Sequence, residues 1–122
     1  IDVISSGHLP LHVDEKKLEF NHSAFGMSTI DCAFRAARKA TEKALNEDEL
    51  VEKLTNAYQI FKQNKPLIQV GTKVDLTVFS MQGNEVFTSE EVHSKGKNNP
   101  FVGRELLGKV FGIIKGNKTN LL

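Results

Sequence analysis

The pattern that follows Met27 constrains this chain most: two amphipathic helical repeats run back to back, and the period then switches to strict alternation. A period near 3.6 followed by a period of 2 predicts helices succeeded by strands, hence an α+β fold. Ser28 or Thr29 reads as a helix N-cap, with Ser28 and Asp31 as a weak capping box, so the first helix is expected from Thr29 to Leu45. Ile30, Ala33, Phe34, Ala37, Thr41, Ala44 and Leu45 then share one side, and Asp31, Arg35, Arg38, Lys39 and Glu42 the other. Along one flank Ala33, Ala36, Ala37, Ala40 and Ala44 form a strip of short side chains. Such a strip suits close packing on a sheet or helix, and it also suits a bed for a small apolar ligand.

The second helix is announced by Asn46 with Glu49, and its acidic first turn complements the helix dipole. Leu50, Leu54, Ala57 and Phe61 supply the apolar stripe, and Pro66 is expected to stop the helix by Asn64. Val74, Leu76 and Val78 alternate with Asp75, Thr77 and Phe79. Gln82-Gly83-Asn84 reads as a turn before Glu85-Val86-Phe87-Thr88, which makes a β-hairpin. A loop over 94–99 leads to Asn99-Pro100, an N-cap and first-turn proline predicting a short helix to Leu107, closed by Gly108. Val110 to Ile114 reads as the last strand, and the tail from Gly116 is expected to fray.

Ahead of the helices, Ile1 to Ile4 and Val13 to Phe20 read as strands separated by Ser5-Ser6-Gly7 and Pro10. The expectation is one α+β domain over 1–122: an irregular or strand region at 1–27, a helical pair at 28–64, hairpin, short helix and final strand at 67–115, and a tail at 116–122. The sheet is expected to be mainly antiparallel, with the short helix before its last strand.

Sixteen Lys and Arg against fifteen Asp and Glu leave a net charge of +1, too little to recruit nucleic acid or an anionic membrane. The last third is locally basic, since Lys95, Lys97, Arg104, Lys109, Lys115 and Lys118 face only Glu105. No window approaches the ~20 apolar residues of a membrane span. The single cysteine, Cys32, excludes an intramolecular disulfide and favours a reducing, cytoplasmic setting. The chain begins at Ile1, which reads as a processed or excised N-terminus.

Candidate chemistry is sparse. His8, His12 and Asp14 come nearest to a ligand cluster. In extended chain, residues two apart lie ~7 Å from one another on one face, so His12 and Asp14 could share a metal. His8 joins them only if the chain bends at Pro10; otherwise all three are surface polar residues. Cys32 sits in a first helical turn, where the dipole lowers a thiol pKa, but neighbouring Asp31 opposes that. An inert thiol is expected. The glycines form neither a phosphate loop nor a dinucleotide fingerprint, so no cofactor is expected.

Ser6-Gly7-His8-Leu9-Pro10-Leu11-His12-Val13-Asp14 resembles the active-site segment of the (R)-specific enoyl-CoA hydratases of the hot-dog fold. Lys65-Pro66-Leu67 with Val70-Gly71-Thr72-Lys73-Val74 resembles a later strand of that family. Aligned on Pro10, the family's catalytic Asp falls on Gly7 and its Asn on Leu9, which leaves His12 as the one acid/base group matched. The resemblance therefore implies a binding relative rather than a working hydratase.

With no convergent catalytic set, the leading expectation is a non-catalytic binding domain for an apolar small molecule or a protein partner, using the alanine strip or the groove beside the hairpin. The alternative is a hot-dog-like acyl-thioester enzyme, or its inactive relative, acting through His12. A weak nucleic-acid-binding module built on the basic last third is the second alternative. Neither nucleic acid nor a membrane is the expected partner, and a homodimer is compatible with the sequence.

Overall fold

The computed structural model describes residues 1–63 and 67–121. Its centre is an antiparallel sheet in the order β1 (Asp75–Val86), β2 (Glu105–Lys115), β3 (Lys118–Leu121). Along β2 the inward positions are Leu106, Gly108, Val110, Gly112 and Ile114, the period of two that a sheet covered on one face requires. Helix α2 (Ala33–Thr41), introduced by a 3₁₀ turn at Ile30–Cys32, lies against β2. Helices α3 (Glu47–Thr55) and α4 (Ala57–Ile60) follow it. The fold is thus α+β with an antiparallel sheet, as the change of period implies.

Two contacts seat α2. Phe34 meets Phe79 of β1 with ring centroids 4.7 Å apart, a tilted pair that contributes about 0.5–1.5 kcal/mol beyond its buried area. Phe34 can descend so far because Gly108 has no side chain: a Cβ there would stand 2.9 Å from Phe34 Cε1 and 2.9 Å from the Ser80 carbonyl oxygen. Gly108 also has φ +82°, a region L-residues disfavour. It is therefore a packing glycine inside β2 and not the helix stop expected from the sequence.

The second contact corrects the amphipathic projection. Arg35, assigned to the solvent side, is only 6 % exposed. Its guanidinium donates to Glu91 Oε1 at 2.8 Å and to the Glu85 carbonyl at 2.8 Å, and lies over the Phe87 ring at 5.8 Å. A paired, stacked guanidinium tolerates burial that a lone charge would not. Ile30, placed on the core side, is 59 % exposed instead. The core proper comprises Cys32, Phe87, Val92 and Leu106, with Phe101 packed against it.

Several local expectations yield to tertiary pairing. Gln82-Gly83-Asn84 does not reverse the chain. β1 runs straight through it, and Met81, Gln82 and Gly83 bulge opposite Gly108, between the pairs Ser80↔Lys109 and Asn84↔Leu107. The turn residues fit a bulge equally well once β2 is available as partner. The helix expected from Pro100 to Leu107 is also absent. Asn99 Oδ1 does accept from Phe101 N at 2.8 Å, but Gly103 N donates to the Phe87 carbonyl and Phe87 N to that of Arg104, which draws the chain into β2. Beyond Gly116, whose N–H donates to the Val74 carbonyl, the expected frayed tail forms β3.

The N-terminal strands are not formed. Val13 to Lys16 is a short helix, α1, and Ile1 to Ile4 lies along α3, with Ile4 N donating to the Lys53 carbonyl and Asn56 Nδ2 to that of Asp2. A lone parallel bridge joins His8 to Met27. The first helix is shorter than expected, with regular α-structure ending at Thr41. At α3, Asn46 and Glu49 make the reciprocal capping box, at 2.9 and 2.8 Å. The helical pattern then breaks at Asn56, and the expected stop near Asn64 and Pro66 lies outside the described residues.

Gly108→Ala separates packing from backbone strain when compared with Gly83→Ala, since Gly83 also has positive φ but nothing within 4 Å of its missing Cβ. Both variants bear strain of about 1–3 kcal/mol. Gly108→Ala bears in addition an overpacking cost of about 1–3 kcal/mol. Denaturant unfolding is expected to show Gly108→Ala as the less stable of the two, and equal stabilities would remove Phe34 from its assigned place.

Candidate functional site

The segment from His8 to His12 is held on one face by the backbone of residues 26–27 and 96–98. Leu9 N donates to the Met27 carbonyl at 2.8 Å. Gly26 lies so close beneath that a Cβ would stand 2.6 Å from the Leu9 carbonyl oxygen, and Gly96 so close that a Cβ would stand 2.8 Å from that of Leu11. Asn98 closes the cradle: Nδ2 donates to the Gly26 carbonyl at 2.9 Å, and Oδ1 accepts from Leu11 N at a longer 3.4 Å.

Within the cradle His8 is fixed by the start of the helical segment. Its Nδ1 accepts from the backbone N–H groups of Thr29 and Ile30, both at 3.1 Å. The first amides of a helix have no partner within it, so an outside acceptor is needed. Neither Ser28 nor Thr29 caps as the sequence suggests: Thr29 Oγ1 donates to the Ser6 carbonyl at 2.7 Å, and Ser28 is buried. Because Nδ1 accepts, the neutral ring carries its proton on Nε2. His8 is thus a held imidazole with one N–H left to offer. No local motif signals this, because the partners lie 21 and 22 residues away.

His8 is not joined by the other two members of the expected cluster. His12 is the N-cap of α1, with Nδ1 3.4 Å from Asp14 N and 3.1 Å from Asp14 Oδ2. With Nδ1 bare it accepts from the amide, and with Nδ1 protonated it pairs with the carboxylate. Both side chains are well exposed, where such a pair contributes little. Among the described residues no group of three or more His, Cys, Asp and Glu converges as a metal site.

Ala33, Ala36, Ala37 and Ala40 line an open groove of about 250 Å³ together with Ile4, Met27 and Phe101, while Ala44 lies outside it. Cys32 is buried, with Sγ 3.4 Å from the Thr29 carbonyl oxygen and 3.5 Å from Asn99 Nδ2. Burial pushes its thiol above the ordinary value, only partly offset by Asn99. In the basic last third, Lys97 Nζ donates to the Val92 carbonyl and Lys109 faces Glu85 at 3.6 Å, so two of its charges are already engaged.

No family model matches the sequence. Curated relatives do. The chain is 39 % identical over 112 residues to a dihydroorotase of Ruminiclostridium cellulolyticum, covering 89 % of this chain and 26 % of the relative. It is 34 % identical over 119 residues to one of Geotalea daltonii, covering 95 % and 28 %. With one of Acetivibrio thermocellus it is 35 % identical over 121 residues, covering 96 % and 28 %. The chain therefore spans about a quarter of the length of the curated relatives it matches. Among solved structures, a D-hydantoinase (dihydropyrimidinase) from Thermus sp. superposes with a TM-score of 0.79 at 21 % identity, over 99 % of this chain and 28 % of that one.

These findings overturn the expected function. The similar proteins are dihydroorotases, and none of these is a non-catalytic binding domain, an acyl-thioester hydratase or a nucleic-acid-binding module. The resemblance to the hot-dog hydratases rests on two short stretches, 6–14 and 65–74, whereas the dihydroorotase similarity runs through nearly the whole chain. The α+β fold, with consecutive helices beside a three-stranded sheet, superposes on part of a hydantoinase. No helix among the described residues is long and apolar enough to cross a membrane.

Cys32 is expected to resist alkylation by iodoacetamide at neutral pH in the folded protein and to react once the protein is unfolded, because reaction needs an accessible thiolate. Rapid stoichiometric labelling of the native protein would show that the thiol is neither buried nor raised in pKa.

Proposed function

We propose that this chain works as part of a dihydroorotase-type hydrolase that opens a cyclic amide, and that His8 offers its Nε2–H at the reacting centre. The observation that carries the reading is the 34–39 % identity to three curated dihydroorotases through nearly the whole chain. In the proposed reaction water adds to a ring carbonyl carbon of dihydroorotate, its oxygen gains negative charge, and the C–N bond breaks as the nitrogen takes a proton. A donor held in one tautomer and one orientation before the charge develops suits that first step. Activation of the water calls for a general base or a metal. Among the described residues no group of three or more His, Cys, Asp and Glu converges to hold a metal.

Exposed apolar surface supports a role within a larger body. Phe20 is 92 % and Phe25 94 % exposed, and Phe61, Ile68 and Val70 are likewise uncovered. Side chains this uncovered are compatible with surfaces that another element covers. In this proposal the cover, including the filler of the alanine-lined groove, comes from protein corresponding to the other three quarters of the relatives.

The test is turnover of dihydroorotate by the intact protein that carries this sequence, with and without His8→Ala. Loss of one positioned donor is expected to lower kcat by about 10²–10³. Absence of turnover in the unaltered protein would overturn the hydrolase reading, and unaltered kcat in His8→Ala would remove His8 from the reaction.

A further inference from the structure

The 95–99 segment is more than a solvated loop. Asn98 touches both walls of the cradle around His8: its side chain binds the Leu11 amide and the Gly26 carbonyl, and its own carbonyl accepts from Ser28 N at 3.1 Å. Leu11 belongs to the segment that carries His8, and Gly26 and Ser28 flank Met27, which bridges His8 and accepts from Leu9 N. Ser28 in turn immediately precedes Thr29 and Ile30, whose amides hold His8 Nδ1. One amide side chain, 87 residues from Leu11 and 72 from Gly26 in sequence, thus fastens the segment bearing the imidazole to the turn that orients it.

Gly96 supports the same wall by shape. Its missing Cβ would stand 2.9 Å from Pro10 Cβ and 3.0 Å from Leu11 N, so the segment can close on residues 10–11 only with glycine there. Lys97 Nζ, donating to the Val92 carbonyl, and Asn99 Oδ1, accepting from Phe101 N, brace the segment against the chain just before and just after it. Asn98 thus lies between two residues whose side chains are both bonded, Lys97 and Asn99.

We infer that Asn98 is a positioning residue: it sets the orientation and tautomer of His8 by locking residues 9–11 against residues 26–28. The functional half of the inference rests on the proposal that His8 serves a hydrolase. The structural half does not. An imidazole displaced by about 1 Å loses much of its effect on a reacting atom, so loss of this clamp reaches the chemistry without touching substrate.

The experiment is NMR of uniformly ¹⁵N-labelled intact protein, which reports the histidine ring nitrogens and the backbone amides together, alongside dihydroorotate kinetics, for the unaltered protein, Asn98→Ala and Asn120→Ala. The unaltered protein is expected to show His8 as the Nε2–H tautomer, and Asn120→Ala, on exposed β3, to leave that signature in place. Asn98→Ala is expected to average the two tautomers and to shift the Thr29 and Ile30 amide signals while those of Phe79 and Val110 stay. In the same variant kcat is expected to fall about tenfold or more with KM nearly unchanged. An unchanged His8 signature in folded Asn98→Ala would overturn the inference. A lost signature in a protein that never turns over dihydroorotate would uphold the positioning role and reject the hydrolase reading. Should Asn98→Ala not fold, Asn98→Asp keeps an acceptor for Leu11 N, replaces the donor to Gly26 with a carboxylate oxygen that its carbonyl repels, and is read in the same way.

Discussion

Two backbone amides at the start of the helical segment, those of Thr29 and Ile30, need an acceptor that the helix cannot supply, and His8 Nδ1 is that acceptor. This one interaction joins the irregular N-terminal third to the helix that rests on the sheet. It also settles the imidazole's tautomer and aims its remaining N–H. The surrounding glycines and Asn98 make sense as the framework that keeps His8 within reach of those amides.

The helix itself needs a rigid seat for that arrangement to hold. Phe34 over Gly108 supplies it on one side, and the buried Arg35, bonded to Glu91 and to the Glu85 carbonyl, supplies it on the other. Removing the Glu91 carboxylate alone would leave a nearly buried guanidinium short of its charged partner, which is far more costly than the loss of an exposed ion pair. The same arginine packs over Phe87, so the polar contact and the apolar core are built by one side chain.

The parts legible in the sequence are those in which local signals and tertiary packing agree. Asn46 and Glu49 cap α3 as their spacing implies, and the alternation from Val74 onward is a strand. The misread parts are those where a local signal admits two outcomes. Gly83 serves a hairpin turn or a bulge, Asn99-Pro100 opens a helix or an isolated turn, and the availability of β2 decides both. Arg35 carries the hydropathy of a surface residue, and only the position of Glu91, 56 residues away, reveals that it is buried. His8 drew notice for a shared site with His12 and Asp14, and its true partners are main-chain groups that no side-chain pattern encodes.

The central claim is that His8 presents its Nε2–H to a ring-opening hydrolysis. A crystal structure of the intact protein with dihydroorotate or its ring-opened product bound tests it most directly. The account requires a ligand oxygen within hydrogen-bond reach of His8 Nε2, about 2.7–3.2 Å, with Nδ1 still bonded to Thr29 and Ile30. A ligand bound far from residues 8–12, or a His8 ring turned so that Nε2 meets those amides instead, would contradict it.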